Sequence, residues 1–252
     1  MTDSAAEAPD GLAGRVAVVT GGSGGIGQAV ARRLAAAGVA VAVGYGQGRE
    51  AAERMAAEIT STGGRAVALG ADLGRADGPG RLLSAAEDTL GPVGILVSNA
   101  GLGRRQRLDE VTAADFDEMI AVNLRAPFLL AQRALPEMAA RGFGRVLFVS
   151  SVAAFTGGIV GPHYAASKAG LHGLTHFLAS RFAASGVTVN ALAPALVAGT
   201  GMLPGDPGEL SRQVPVGRLG TPGEVADLAM AMLRNGYLTS QVVSVDGGMH
   251  PR

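Results

Sequence analysis

The sequence predicts an α/β fold, a doubly wound domain spanning residues 13–252 with a mostly parallel seven-stranded sheet and helices on both faces. Two observations predict it. Short apolar, β-branched runs at 15–20, 39–43, 66–69, 93–97, 146–150, 187–192 and 242–245 alternate with longer Ala/Leu-rich segments of helical period, which is the rhythm of βαβ units. The runs are also apolar at nearly every position rather than every second one, as befits strands covered by helices on both sides.

Composition narrows the function classes. The chain has 252 residues with 48% apolar content, and 21 basic residues balance 21 acidic ones, so it offers no overall field for a nucleic acid or an anionic membrane. The absence of cysteine excludes disulfides, thiolate metal sites and cysteine nucleophiles and is compatible with the cytoplasm. Residues 1–12 lack a basic start or an apolar stretch and read as a disordered tail. Residues 146–167 carry no Asp, Glu, Lys or Arg, but Gly157, Gly158, Gly161 and Pro162 interrupt them, so they read as strand, loop and helix start rather than a membrane span. Thr112 with Asp115, and Thr221 with Pro222 and Glu224, mark helix starts. Residues 199–215 form the longest irregular segment, a candidate lid whose Met202, Leu203 and Val214 point to an apolar substrate.

The first strand runs directly into Thr20-Gly21-Gly22-Ser23-Gly24-Gly25-Ile26-Gly27 and then a helical segment. Strand, glycine turn and helix in this order form a Rossmann-type dinucleotide site, because glycines let the backbone approach a pyrophosphate and the helix N-terminus favours its charge. The second strand ends at Val43-Gly44-Tyr45-Gly46 without the acidic residue that usually selects NAD. Arg49 nearby is either a partner for a 2′-phosphate or a solvated cation at a helix start. NADP(H) is favoured over NAD(H).

Tyr164 and Lys168 stand four residues apart on a helix predicted to begin near Pro162, so they share one face. A phenol titrates at about 10, and a neighbouring ammonium is expected to lower that value and make proton exchange feasible. Ser151 lies at the end of the fifth strand, the edge of the sheet where ligands bind.

Together these motifs resemble the short-chain dehydrogenase/reductase family, and within it most closely the 3-oxoacyl-(acyl-carrier-protein) reductases, over roughly residues 14–249. The resemblance implies catalytic roles for Asn123, Ser151, Tyr164 and Lys168: Tyr164 as proton donor, Lys168 as its modulator and ribose contact, Ser151 as carbonyl holder, Asn123 as the residue positioning a relay water. It implies cofactor contacts from Gly21, Ser23, Gly25, Ile26 and Gly27, from Tyr45, Arg49, Asp72 and Leu73, from Asn99, Ala100 and Gly101, and from Pro194, Val197 and Thr200, besides Tyr164 and Lys168. Asn99 is expected to stabilise the strand beneath the cofactor. The family also implies a homotetramer and an acyl-thioester substrate, with an acyl carrier protein as a candidate partner. The chain departs from the pattern at Gly94, Ser98, Ala195 and Ser185, the last standing where many carrier-dependent reductases have Arg.

Other features read as ordinary structure: His172 and His176 as helix histidines, Met230 and Met232 as core or interface, and Arg104, Arg105 and Arg107 as a solvated loop, with carrier contact as the minority reading there and for Arg141. Three functions stay in play: NADPH-dependent reduction of a 3-oxoacyl thioester, redox chemistry on another small ketone or alcohol, and a non-catalytic dinucleotide sensor or scaffold.

Overall fold

A computed structural model describes residues 11–201, 203 and 205–250. Its strands are β1 (Val16–Thr20), β2 (Ala40–Tyr45), β3 (Ala66–Gly70), β4 (Val93–Ser98), β5 (Gly144–Val149), β6 (Val187–Pro194) and β7 (Val242–Val245). They form one sheet in the order β3-β2-β1-β4-β5-β6-β7, and every pairing is parallel rather than mostly so. The chain steps outward from β1 to β3, then returns to place β4 on the other flank of β1. That reversal opens a crevice beyond the carboxyl ends of β1 and β4.

The uninterrupted apolar runs are explained by two cores on opposite faces. Ala17, Val19, Val41, Val43, Ile95 and Val97 point to one face, where they meet helices α1 (Gly25–Ala36), α2 (Arg49–Ser61) and α9 (Pro222–Arg234). Their neighbours Val16, Val18, Ala40, Ala42 and Leu96 point to the other, against α3 (Gly78–Leu90), α5 (Ala126–Ala140) and α7 (Pro162–Phe182). Alternation along each strand sends successive side chains to opposite faces, so both sets must be apolar. Met230 and Met232 are buried in the first core, which settles them as packing residues on this chain.

Residues 1–10 of the expected tail lie outside the described residues. Its end behaves differently: Leu12 is fully buried in the first core and its carbonyl accepts from Arg15 N, so an apolar side chain anchors the chain ahead of β1. Both anticipated caps form reciprocal boxes, Thr112 with Asp115 on α4 (Ala113–Ile120) and Thr221 with Glu224 on α9. Hydrogen bonds from Arg218 and from Thr221 hold the Glu224 carboxyl down at about 2. The segment that reads as a loop between β5 and α7 contains a single turn, α6 (Ala153–Thr156), and the candidate lid contains another, α8 (Pro207–Ser211), begun by Asp206 accepting from the Gly208 and Glu209 amides. Met202 lies outside the described residues. No helix among those described is long and apolar enough to cross a membrane.

Candidate active site

The β1–α1 turn owes its shape to what its glycines avoid. A side chain at Gly21, whose φ is +61, would meet the Ala100 backbone at 2.9 Å, one at Gly27 would meet Gly21 O at 2.2 Å, and one at Gly25 would meet Gly199 O at 2.6 Å. Asn99 fastens this turn from the neighbouring strand. Its Nδ2 donates to Thr20 O and Gly21 O, each at 3.1 Å, while Thr20 Oγ1 accepts from the Asn99 and Ala100 amides at 3.0 Å. The expected support beneath the cofactor is thus a four-bond clamp between β1 and β4. The turn opens onto the N-terminus of α1, a backbone cradle suited to a pyrophosphate.

Farther out, the other expected cofactor contacts range from half-buried Ser23 and Tyr45 to exposed Arg49 and Asp72. Ser23 lies against Gly48, beside the start of α2, and Tyr45 lies across Gly70. Arg49 is exposed and gives its Nε to Glu53 Oε1 at 2.8 Å, so a phosphate must compete with that carboxylate. Asp72 is exposed and accepts from Gly74 N at 2.9 Å. Leu73 is half-buried, its side chain packing against the second core.

The chemical end is a cleft of about 430 Å³. It gathers Ile26, Asn99 and Gly101 from the dinucleotide side, Ser151, Tyr164 and Lys168 from the carboxyl end of β5 and from α7, and Pro194, Val197 and Thr200 from beyond β6. Pro162 starts α7, so Tyr164 falls in its first turn and Lys168 one turn later on the same face. Tyr164 and Lys168 are only 8% and 4% exposed. Ser151 and Tyr164 line the cleft together, and Ser151 Oγ accepts from Ala153 N at 3.2 Å. Lys168 Nζ donates to Val149 O at 2.9 Å and stands 5.8 Å from the Tyr164 ring centre.

Electrostatics here reverse one expectation. Burial pushes the Tyr164 phenol above its ordinary value, and the nearby Ser151 hydroxyl is the smaller, opposing influence. Burial also brings Lys168 down from 10.5 to about 8. Loss of water disfavours both charged forms, and this outweighs the attraction anticipated from spacing alone. The phenol is therefore held in its proton-bearing form.

The Asn123 side-chain amide bonds within the protein. It is fully buried in a π-helical turn, Ala121–Arg125, between α4 and α5. Its Oδ1 accepts from Leu102 N at 2.7 Å, and its Nδ2 donates to Leu102 O and Ser167 Oγ at 3.0 and 3.1 Å. The side chain pins the strand-end loop at Gly101 to α7, and Gly101 lies close to both Asn123 Oδ1 and Lys168 Nζ. The wider turn is the local means of aiming it inward. His163, next to Tyr164, is fully buried and its imidazole is pushed below its ordinary value by burial.

The set-aside histidines part company: His172 reaches Ser150 Oγ at 2.9 Å and His176 reaches Ser240 Oγ at 3.0 Å. The basic loop is largely neutralised in place, Arg104 on Asp115 and Glu118, Arg107 on Asp109. Arg141 donates to Val93 O and pairs with Glu137.

With this geometry in view, the sequence matches the short-chain dehydrogenase model over residues 15–207. The chain belongs to the short-chain dehydrogenase family. It is 37% identical over 243 residues to a 3-oxoacyl-[acyl-carrier-protein] reductase of Synechocystis sp., covering 94% of this chain and 98% of that protein. It is 35% identical over 246 residues to the 2-dehydro-3-deoxy-D-gluconate 5-dehydrogenase of Escherichia coli, covering 94% and 96%. A blue fluorescent protein from a metagenomic library, crystallised with NADPH, superposes with a TM-score of 0.89 at 36% identity, covering 95% of this chain and 99% of that one. As a member of this family the chain is an oxidoreductase acting on CH–OH or C=O groups with a nicotinamide dinucleotide, a cofactor that the glycine cradle fits.

Several cleft residues escaped sequence reading. Leu196, Gln213 and Met249 come from irregular segments beyond β6 and β7, where neither period nor motif signals a site. Leu203 lines the cleft as expected of the lid, but Val214 does not. It is buried against Gly247, because the segment after β7 folds over it.

Proposed function

We propose that this family member reduces the ketone of a 3-oxoacyl thioester, or of a related small apolar substrate, using NADPH. The observation that supports it most is the convergence of Ser151, Tyr164 and buried Lys168 in one cleft with Ile26 of the dinucleotide turn. A reduced nicotinamide bound there supplies the hydride.

Ser151 and Tyr164 hold the carbonyl oxygen between two hydroxyls. The phenol, kept protonated by burial, gives its proton to that oxygen as the carbon is reduced. Lys168, in its ammonium form, offsets the phenolate left behind, and solvent restores the proton. Asn123 keeps the loop at Gly101 against Lys168, a positioning role through the backbone rather than direct handling of water. Arg49, released from Glu53, takes the 2′-phosphate that marks NADPH. A homotetramer, cytoplasmic residence and delivery of the thioester by a carrier protein follow from the same reading.

A second substrate class has its own support: the sugar-acid dehydrogenase relative is nearly as similar as the carrier-protein reductase, and Ser185 departs from the carrier-dependent pattern. The test is nicotinamide absorbance with NADPH and NADH against acetoacetyl-coenzyme A, the same acyl group on a carrier protein, and a panel of oxo sugar acids and cyclic ketones. Thioester turnover with NADPH preference is expected. Turnover of sugar acids alone would replace the substrate, and cofactor binding with no turnover across the panel would favour a sensor.

A further inference from the structure

We propose that Met249 is a specificity-determining residue of the cleft, shaping the wall against which an apolar, flexible substrate chain lies. The proposal rests on the ketoreductase reading above.

Met249 lines the same cleft as Ser151 and Tyr164, yet it comes from the end of the described chain, where an unanchored segment would define no wall. It is anchored on both sides. Asp246 gathers the segment into a turn: its carboxylate accepts from the Gly248 and His250 amides at 2.9 and 3.1 Å, and its carbonyl accepts from Met249 N at 3.3 Å. Gly247 and Gly248 sit at φ of +62 and +89, a left-handed path that L side chains avoid and that turns the chain back toward the cleft. Beyond Met249, the His250 ring stacks on Phe155, with centres 5.1 Å apart and planes 10° from parallel.

Phe155 also meets the His172 ring, centres 4.6 Å apart, and His172 reaches Ser150 Oγ, which itself donates to Lys168 O at 3.0 Å. The wall that carries Met249 is thereby registered on the elements that carry Ser151 and Lys168. An unbranched thioether adapts to different chain shapes, which fits a wall for acyl groups of several lengths and not a polar sugar acid.

The test uses the full-length protein. With 13C-methyl methionine, the Met249 signal, assigned by its loss in Met249→Leu, is followed during titration with non-reducible 3-hydroxyacyl thioesters of increasing length in the presence of NADP. A progressive shift of this signal is expected, and no shift despite saturable binding would overturn the proposal. In turnover, Met249→Phe is expected to raise KM for the longest acyl substrate at least fivefold relative to the shortest, and Met249→Ala to relax that ratio. His250→Ala should blunt the length preference and His250→Phe restore it. An unchanged length ratio in both Met249 variants sinks the proposal. Absence of any thioester binding or turnover sinks the ketoreductase reading instead, and Met249 with it only if the signal also ignores every ketone that proves to be a substrate.

Discussion

The two ends of the cleft are built on different physics. The dinucleotide end is backbone geometry: three glycines that leave no room for a Cβ, a clamp from Asn99, and at the rim exposed Arg49 and Asp72. The chemical end is desolvation, with Tyr164, Lys168 and Asn123 all nearly withdrawn from water. The first end works by shape and tolerates solvent. At the second, charge is costly, and burial outweighs the pairing of charges that spacing alone suggests.

Variants can break each end separately. Tyr164→Phe is expected to lower kcat for ketone reduction by roughly 10²- to 10⁴-fold, the usual contribution of a positioned proton donor, with NADPH affinity measured by fluorescence titration unchanged. Unaltered kcat would remove Tyr164 as donor.

Lys168→Met should end activity but stabilise the fold at pH 7. Below pH about 8 the folded chain holds a buried ammonium that the unfolded chain keeps in water. As pH rises from about 8 toward 10.5 the unfolded state binds more protons, so stability climbs. The shift amounts to about 3 kcal/mol at most, less about 1 kcal/mol for the lost hydrogen bond to Val149. Thermal melts at pH 7 and 10 check this: the variant should melt higher at pH 7 and lose the rise. The same titration makes kcat/KM of the wild type for reduction fall above pH about 8.

Gly27→Ala tests the shape-based end. The added Cβ would sit 2.2 Å from Gly21 O, so the loop must move, at about 1–3 kcal/mol, and NADPH affinity should drop about tenfold or more while the Ser151–Tyr164 contact survives. Arg49→Ala should raise KM for NADPH roughly fivefold, as for an exposed ionic contact, and leave NADH alone. Glu53→Gln, which frees Arg49 from its ion pair, should tighten NADPH by less than about twofold; a larger gain would mean that this pair gates cofactor choice.

The chemical end was legible as residue types and order: Ser151, Tyr164 and Lys168 meet in one cleft, as spacing on β5 and α7 requires. Their electrostatics were not, since burial depends on side chains from α4, α5 and the loop at Gly101 that no local window contains. At the other end the glycine turn was legible because its conformational demand is local, whereas the packing of the Leu73 side chain against the second core was not, because it depends on segments far away in the chain. Met249 was invisible, as nothing near it in sequence announces that a turn at Asp246 carries it back to the cleft.

By itself the sequence determined the parallel α/β architecture, the dinucleotide turn and the meeting of Ser151, Tyr164 and Lys168, because strand burial, glycine backbone freedom and helical spacing are properties of a few adjacent residues. Only the tertiary structure decided which protons are held, what Asn123 bonds to and which residues wall the cleft. Those depend on how much water remains around a group once segments far apart in the chain have closed over it.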